Sequence, residues 1–219
     1  MEPVTNILED RIRIGFVRAY GIRLEQDFQF PDNRLDQLLE HRKQPLTERE
    51  DAFRKACRDM MRIGTYKPTG RGKPASEYLL RAASEDAFPR INTAADINNY
   101  VSLAWIAPIS LWDTDRVDAD SWLFRPGKEA EEFVFNPSGQ TISLLDLVTG
   151  FAVKDGLETP IVTPVKDCQQ TKTDAETRNI AAAVYYPAEW TGKPALEDML
   201  SEFTELLDMV SEKTEKGIF

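Results

Sequence analysis

Apolar and polar positions alternate early in the chain. Arg11, Ile12, Arg13 and Ile14 take turns, and Phe16 continues the apolar face. A period of two predicts a strand with one buried side. The period then lengthens. Residues 47–63 bring Phe53, Cys57, Met60 and Met61 to one helical face, with a Thr47–Glu50 capping box ahead and Gly64 as the stop. Arg54, Arg58 and Arg62 recur every fourth residue as a basic stripe on another face. Glycines 70 and 72 and prolines 68 and 74 make 65–74 a loop carrying Lys67, Arg71 and Lys73. Pro74 opens the next helix, with Leu79 and Leu80 turned inward. Thr93, with Asp96 three residues on, predicts a further helix that ends before Pro108.

From about residue 109 the pattern favours short strands, at 109–112, 121–125, 133–135, 160–166 and 180–186. Pro126-Gly127 and residues 136–139 read as turns, and 141–147 fits either a strand or a short helix. Leu196, Met199, Leu200, Phe203, Leu206, Leu207 and Val210 fall at helical spacing in an amphipathic helix over 194–214. The sum is an α+β fold: short mixed or antiparallel strands flanked by helices. With no repeat or linker, one domain over 1–219 is expected, comprising an N-terminal extension (1–65), a core and a C-terminal packing helix.

Residues 88–117 break the pattern. Asn92, Asp96, Asn98, Asn99, Ser102 and Ser110 interrupt an apolar segment that ends in Asp113 and Asp115. A core has no need of so many amides and carboxylates, whereas a pocket for a small polar ligand does. The competing reading is that they cap helices and satisfy buried backbone, which is strongest for Asn92, Thr93 and Asp96.

Composition narrows the function classes. With 42% hydrophobic and 29% charged residues among 219, a normal core is expected. No window approaches roughly 18 apolar residues, so no membrane span is expected. The N-terminus lacks a basic region followed by an apolar run, so a cytoplasmic location is expected. A single histidine, His41 in a polar run, argues against a histidine metal site or a Ser-His-Asp triad. Neither metal nor cofactor is expected. No P-loop or Rossmann glycine pattern is present. The net charge of −10 is uneven: residues 1–110 carry 17 basic and 16 acidic side chains, residues 111–219 carry 10 and 21. Residues 42–81 alone carry 11 basic against 5 acidic. Non-specific DNA binding is disfavoured by the overall charge, but the local excess suits docking of one RNA.

Several motifs recur in order within 66–179: KPASEYLLR (73–81), FPRINTAADINNYVSL (88–103), PISLWDTDRV (108–117), LFRPGKE (123–129), GQTISLLDLV (139–148) and KDCQQTKTDAETRN (166–179). Together they resemble the B3/B4 editing domain of the bacterial phenylalanyl-tRNA synthetase β chain, in a free-standing form. The resemblance implies a trans-editing hydrolase that cleaves the ester joining a wrong amino acid to the 3′ end of a tRNA. An apolar pocket separates close analogues by only about 1–3 kcal/mol, so a second, hydrolytic sieve supplies the remaining selectivity.

Carried over by motif, Asn99 matches the asparagine that lines the family's editing pocket, and Pro108 is also kept. The family histidine falls at Ser110. The glutamate that recognises the tyrosine hydroxyl falls at Gln169–Gln170. Catalysis is therefore expected from Asn99, Ser110 and Thr171, with backbone N–H groups of 167–171. Substrate contacts are expected from Asn92, Asp96, Trp112, Asp113, Asp167, Gln169 and Gln170. The expected tRNA contacts are Arg54, Arg58, Arg62, Lys67, Arg71 and Lys73, although the arginine stripe also reads as a solvated face paired with nearby acids. Carboxylates in place of the tyrosine-reading set point to a polar or basic, arginine-like aminoacyl group, such as canavanine on an arginine tRNA. The alternatives are a deacylase for tyrosine or phenylalanine analogues, a non-catalytic tRNA- or protein-binding module, and a small-molecule hydrolase.

Overall fold

The computed structural model describes residues 1–24 and 28–219. Two four-stranded sheets pack face to face, and helices cover the outer face of one of them. The first sheet is antiparallel in the order β10–β2–β9–β3, built from β2 (Ile12–Tyr20), β3 (Ile109–Asp113), β9 (Ile180–Pro187) and β10 (Lys213–Ile218). The second has the order β1–β4–β7–β8, from β1 (Val4–Asn6), β4 (Ser121–Pro126), β7 (Val148–Lys154) and β8 (Leu157–Val162); only β1 pairs in parallel. A separate hairpin joins β5 (Glu132–Val134) to β6 (Thr141–Ser143).

Alternation places the aromatic core between the sheets. Phe16 of β2 meets Trp112 of β3 at 5.5 Å and Phe124 of β4 at 6.4 Å, and Trp112 meets Trp122 at 5.3 Å. These edge-on contacts suit the ring quadrupoles. The other face of the first sheet receives α4 (Thr93–Trp105) and α5 (Leu196–Asp208). At Gly15 of β2 a Cβ would lie 2.8 Å from a Leu196 methyl and 2.9 Å from one of Leu200, so the missing side chain lets α5 settle onto the strand.

Three shorter helices, α1 (Arg34–Arg42), α2 (Glu48–Asp59) and α3 (Ala75–Ser84), complete the fold. Both halves of the Thr47–Glu50 capping box at α2 form as the sequence predicts. The buried Arg42 at the end of α1 donates to the carbonyls of Leu103 (3.1 Å) and Ala104 (2.6 Å) and pairs with Glu50 at 2.5 Å, tying α1, α2 and the last turn of α4 together.

The α+β class is as expected, but several elements differ. The N-cap of α4 is Asn92, which accepts from Ala95 N at 3.0 Å. Asp96, expected to box with Thr93, instead accepts from Ile91 N at 2.7 Å. The expected helix over 194–214 stops at Asp208, although the apolar spacing runs on to the buried Val210; the polar segment from Lys213 gains strand pairing against β2 as β10. Strand β8 ends at Val162 instead of running to 166, because Thr163 closes a tight turn onto Lys166. Residues 141–143 form a strand, while β1, β7 and α1 had no clear periodicity ahead of them.

Candidate active site

Most polar side chains of α4 are already committed. Asn92 caps the helix and donates to Thr173 Oγ1 at 3.1 Å, which pins the helix start to the segment after the 169–171 turn. Asp96 is fully buried and pairs with Arg90 at 2.6 Å; Arg90 also holds the Phe28 carbonyl. Ser102 donates to the Ala107 carbonyl at 2.7 Å and closes the helix end. Asp96 is thus a structural carboxylate, which corrects its expected substrate role. Asn99 differs. It is half-buried, and among the described residues its side chain makes one hydrogen bond, a long one of 3.5 Å accepted from the Asn98 amide. Asn98 is buried, and its side-chain oxygen has no partner among the described residues.

The second wall is the edge strand β3, with the 163–171 segment docked along it. Ser110 is fully buried. Its hydroxyl donates to the Thr163 carbonyl at 2.8 Å and lies 3.1 Å from the Tyr185 hydroxyl, which is left to donate to it. The outward N–H of Leu111 meets Asp167 Oδ2 at 3.4 Å. Asp167 remains within reach of solvent, yet protein crowds its carboxyl on nearly every side. That burial pushes its pKa up to about 7, against the weaker downward pull of the Leu111 N–H, the Ser110 hydroxyl and the charges of Lys172 and Lys166. Burial also raises Tyr185, so it stays a neutral donor. Perturbed carboxylates in recesses mark functional sites more often than chance does.

The remaining expected residues divide. Thr171 is buried, and its hydroxyl donates within its own turn to the Cys168 carbonyl at 3.2 Å. Trp112 is sealed between the sheets and cannot touch a ligand. Asp113 accepts from Thr177 (2.5 Å) and from Asp115 N (2.8 Å) and faces Arg116 at 3.3 Å, so it organises a turn instead of a pocket. Gln169 is half-buried, with its side-chain oxygen lacking a partner among the described residues, and Gln170 is exposed. The structure therefore brings together Ser110 and Asp167, joined by Tyr185 and Thr163. Nothing in the sequence of β9 marked Tyr185 as different from its core neighbours.

The basic residues also divide. Arg54 binds Asp51 (2.6 Å) and Glu77 (3.0 Å), Arg58 grips Glu77 with two nitrogens, and Arg62 binds Asp59 at 2.9 Å. The stripe is a paired face, as the reading of a solvated face paired with nearby acids has it. Lys67, Arg71 and Lys73 are exposed, and none of the three has a carboxylate partner among the described residues. Arg71 and Lys73 line a cleft of about 1310 Å³ between α3 and the β5–β6 hairpin, and Val165 and Lys166 line it too.

Residues 57–191 match the profile of the B3/4 domain family. The chain belongs to the B3/4 domain family. The match takes in α3, α4, both walls just described and the strand that carries Tyr185. No curated protein matches the sequence. Among solved structures, the chain is similar to an N-terminal fragment of the phenylalanyl-tRNA synthetase β-subunit from Pyrococcus horikoshii, at 9% identity and a TM-score of 0.44. That alignment covers 99% of this chain and 50% of the fragment, so the chain spans half the fragment's length. Among the described residues, no helix is long and apolar enough to cross a membrane.

Proposed function

We propose that this B3/4 domain hydrolyses the ester of mischarged aminoacyl-tRNA, and that the group it removes has a polar or basic, arginine-like side chain rather than that of tyrosine. The observation that carries the reading is Asp167: a carboxylate enclosed at the edge of β3, open enough to be reached, with one weak backbone donor at 3.4 Å. Such a group gains most from a guanidinium or ammonium, which restores the charged form that burial disfavours. Asn99, the half-buried and barely engaged α4 amide, supplies a donor and an acceptor for the substrate.

An aminoacyl ester is already activated, and the neighbouring ribose hydroxyl helps to position water. The protein's task is to hold carbonyl and water in register and to stabilise the oxyanion. Ser110, spent on Thr163 and Tyr185, acts as a positioning residue that fixes the turn bearing Asp167.

The test is deacylation of a panel of mischarged tRNAs. Asp167→Asn should lower the rate on arginine-like esters about 10- to 100-fold, the scale of a charge-assisted hydrogen bond, and affect neutral esters far less. Hydrolysis of tyrosyl-tRNA with no activity on basic esters reverses the substrate assignment. Activity unchanged in Asn99→Ala across the panel removes Asn99 from the mechanism.

A further inference from the structure

Two cations flank Asp167 without pairing with it. Lys166 precedes it. Lys172 follows it across the 169–171 turn, which Thr171 closes with its N–H (3.3 Å) and hydroxyl (3.2 Å) on the Cys168 carbonyl. Both lysines turn instead to one residue of the β5–β6 hairpin. The Lys172 ammonium donates to the Phe135 carbonyl at 2.7 Å, and the Lys166 ammonium lies 5.3 Å from the centre of the Phe135 ring. Phe135 is itself fixed, because its N–H donates to the Gln140 carbonyl at 3.0 Å and closes the hairpin. Lys172 is half-buried and Lys166 is exposed, and among the described residues neither has a carboxylate partner.

A half-buried ammonium spent on a neutral carbonyl contributes little to stability. Ordering the long stem costs rotamer entropy, and one such hydrogen bond offsets only part of it. The fixed charge does act on a neighbour. Burial pushes the Asp167 carboxyl up; against it, the Lys172 charge favours the ionised form, more strongly than that of Lys166. The other groups at that carboxyl are the Leu111 N–H and Ser110 hydroxyl of β3 and, through Ser110, the Tyr185 hydroxyl of β9. Acids of the surrounding elements are engaged elsewhere, Glu77 of α3 with Arg54 and Arg58 and Glu158 of β8 with Arg125, while Glu132 of β5 is exposed. Distance matters as much as sign. An ammonium in direct contact would neutralise the carboxylate and take the place of a substrate cation. The Phe135 carbonyl holds Lys172 short of that contact. We propose that Lys172 is a positioning residue for Asp167: anchored on the hairpin, it supplies the fixed counter-charge of the recess and leaves the carboxylate free for a guanidinium. The inference deepens the arginine-like reading of this recess and rests on it for the choice of guanidinium.

The experiment follows the Asp167 side-chain carboxyl by carbon-13 NMR against pH in the full chain, with Asp167→Asn to assign the signal. It also measures binding of N-acetylargininamide, whose guanidinium stays charged throughout. No ester is present, so the outcome is independent of deacylation. Lys172→Met should move the Asp167 midpoint upward by about 0.5–1 pH unit, as loss of a nearby cation requires. Probe binding should then fall about three- to tenfold near pH 6.5, where fewer molecules carry the charge, and return to within about twofold of native near pH 9, where nearly all do. Lys172→Arg keeps the charge and should keep both the midpoint and the binding. Lys166→Met should move the midpoint the same way by less. Lys154→Met, which removes a lysine paired with Asp118 and Asp120, should move neither. An unmoved midpoint in Lys172→Met, an equal displacement in Lys172→Arg, or a binding loss that persists near pH 9 each overturns the proposal. A native protein that binds no probe at any pH strikes the arginine-like reading instead, and the titration still decides the role of Lys172.

Discussion

At the scale of single residues, Asp167 sets a compromise between stability and binding. Its folded pKa of about 7 lies above the ordinary carboxylate value of 3.8. Between those two values the folded protein keeps a proton that the unfolded chain has released, so this group's contribution to stability falls as pH rises from about 4 to 7 and is level above that. Asp167→Asn should therefore raise the melting temperature at pH 8 while changing it little at pH 4, as thermal unfolding at the two pH values would show. The cation-binding form is the ionised one. Discrimination in favour of arginine-like esters should accordingly grow between pH 6 and pH 8 in the native protein, and lose that pH dependence in Asp167→Asn. Ser110 shows the opposite case. Its sequence position marks it as the stand-in for a family histidine, but burial and two hydrogen bonds remove it from solvent. Residue type and motif alignment identify such a position; only packing reveals whether its hydroxyl is free.

At the scale of elements, local signals were readable where the chain carries its own punctuation. The Thr47–Glu50 box, the Pro74 start of α3 and the β2 strand appear where they were expected, but β2, expected to bury one side, is buried on both, by α5 on one face and the second sheet on the other. Thr47→Ala should cost about 1 kcal/mol, measured by denaturant unfolding, because it removes one cap without opening the core. Less readable were elements whose reason is non-local. Strand β7 is an apolar run buried on both sides, with no alternation to betray it. Strand β10 is polar and exists because β2 offers it a ladder. The arginine stripe of α2 was legible as a stripe, but its partner Glu77 lies on α3, and spacing alone does not give that pairing. A tighter constraint sits after β4. A Cβ on Gly127 would meet the Leu144 carbonyl oxygen at 2.1 Å, while Gly127 N donates to the Leu147 carbonyl at 2.8 Å. Gly127→Ala should destabilise the protein by about 2 kcal/mol or more, with loss of β4–β7 protection in hydrogen exchange, because backbone cannot yield as a side-chain tip can.

For the molecule as a whole, the dense polar segment 88–117 proves to serve two ends. Half of it, Asn92, Asp96, Ser102 and Asp113, ties the helical layer and its connections together, as the capping reading anticipated. Of the rest, Asn99 is barely engaged, and the β3 edge holds the turn that carries Asp167. The family match over 57–191 takes in α4, β3 and the turn after β8, three segments far apart in the chain. The division of labour among them depends on which side chains the two-sheet core swallows.

Strand β3 is also the last strand of its sheet, and a bare sheet edge invites pairing with another molecule. Here the outward Leu111 N–H is taken by Asp167, and Ser110 clasps the Thr163 carbonyl from the same turn. The turn that carries the carboxylate thus doubles as a guard against intermolecular strand addition. A chain that loosens the turn to widen its substrate range would become stickier as it became more permissive, and solubility would set a limit on how far its specificity can drift.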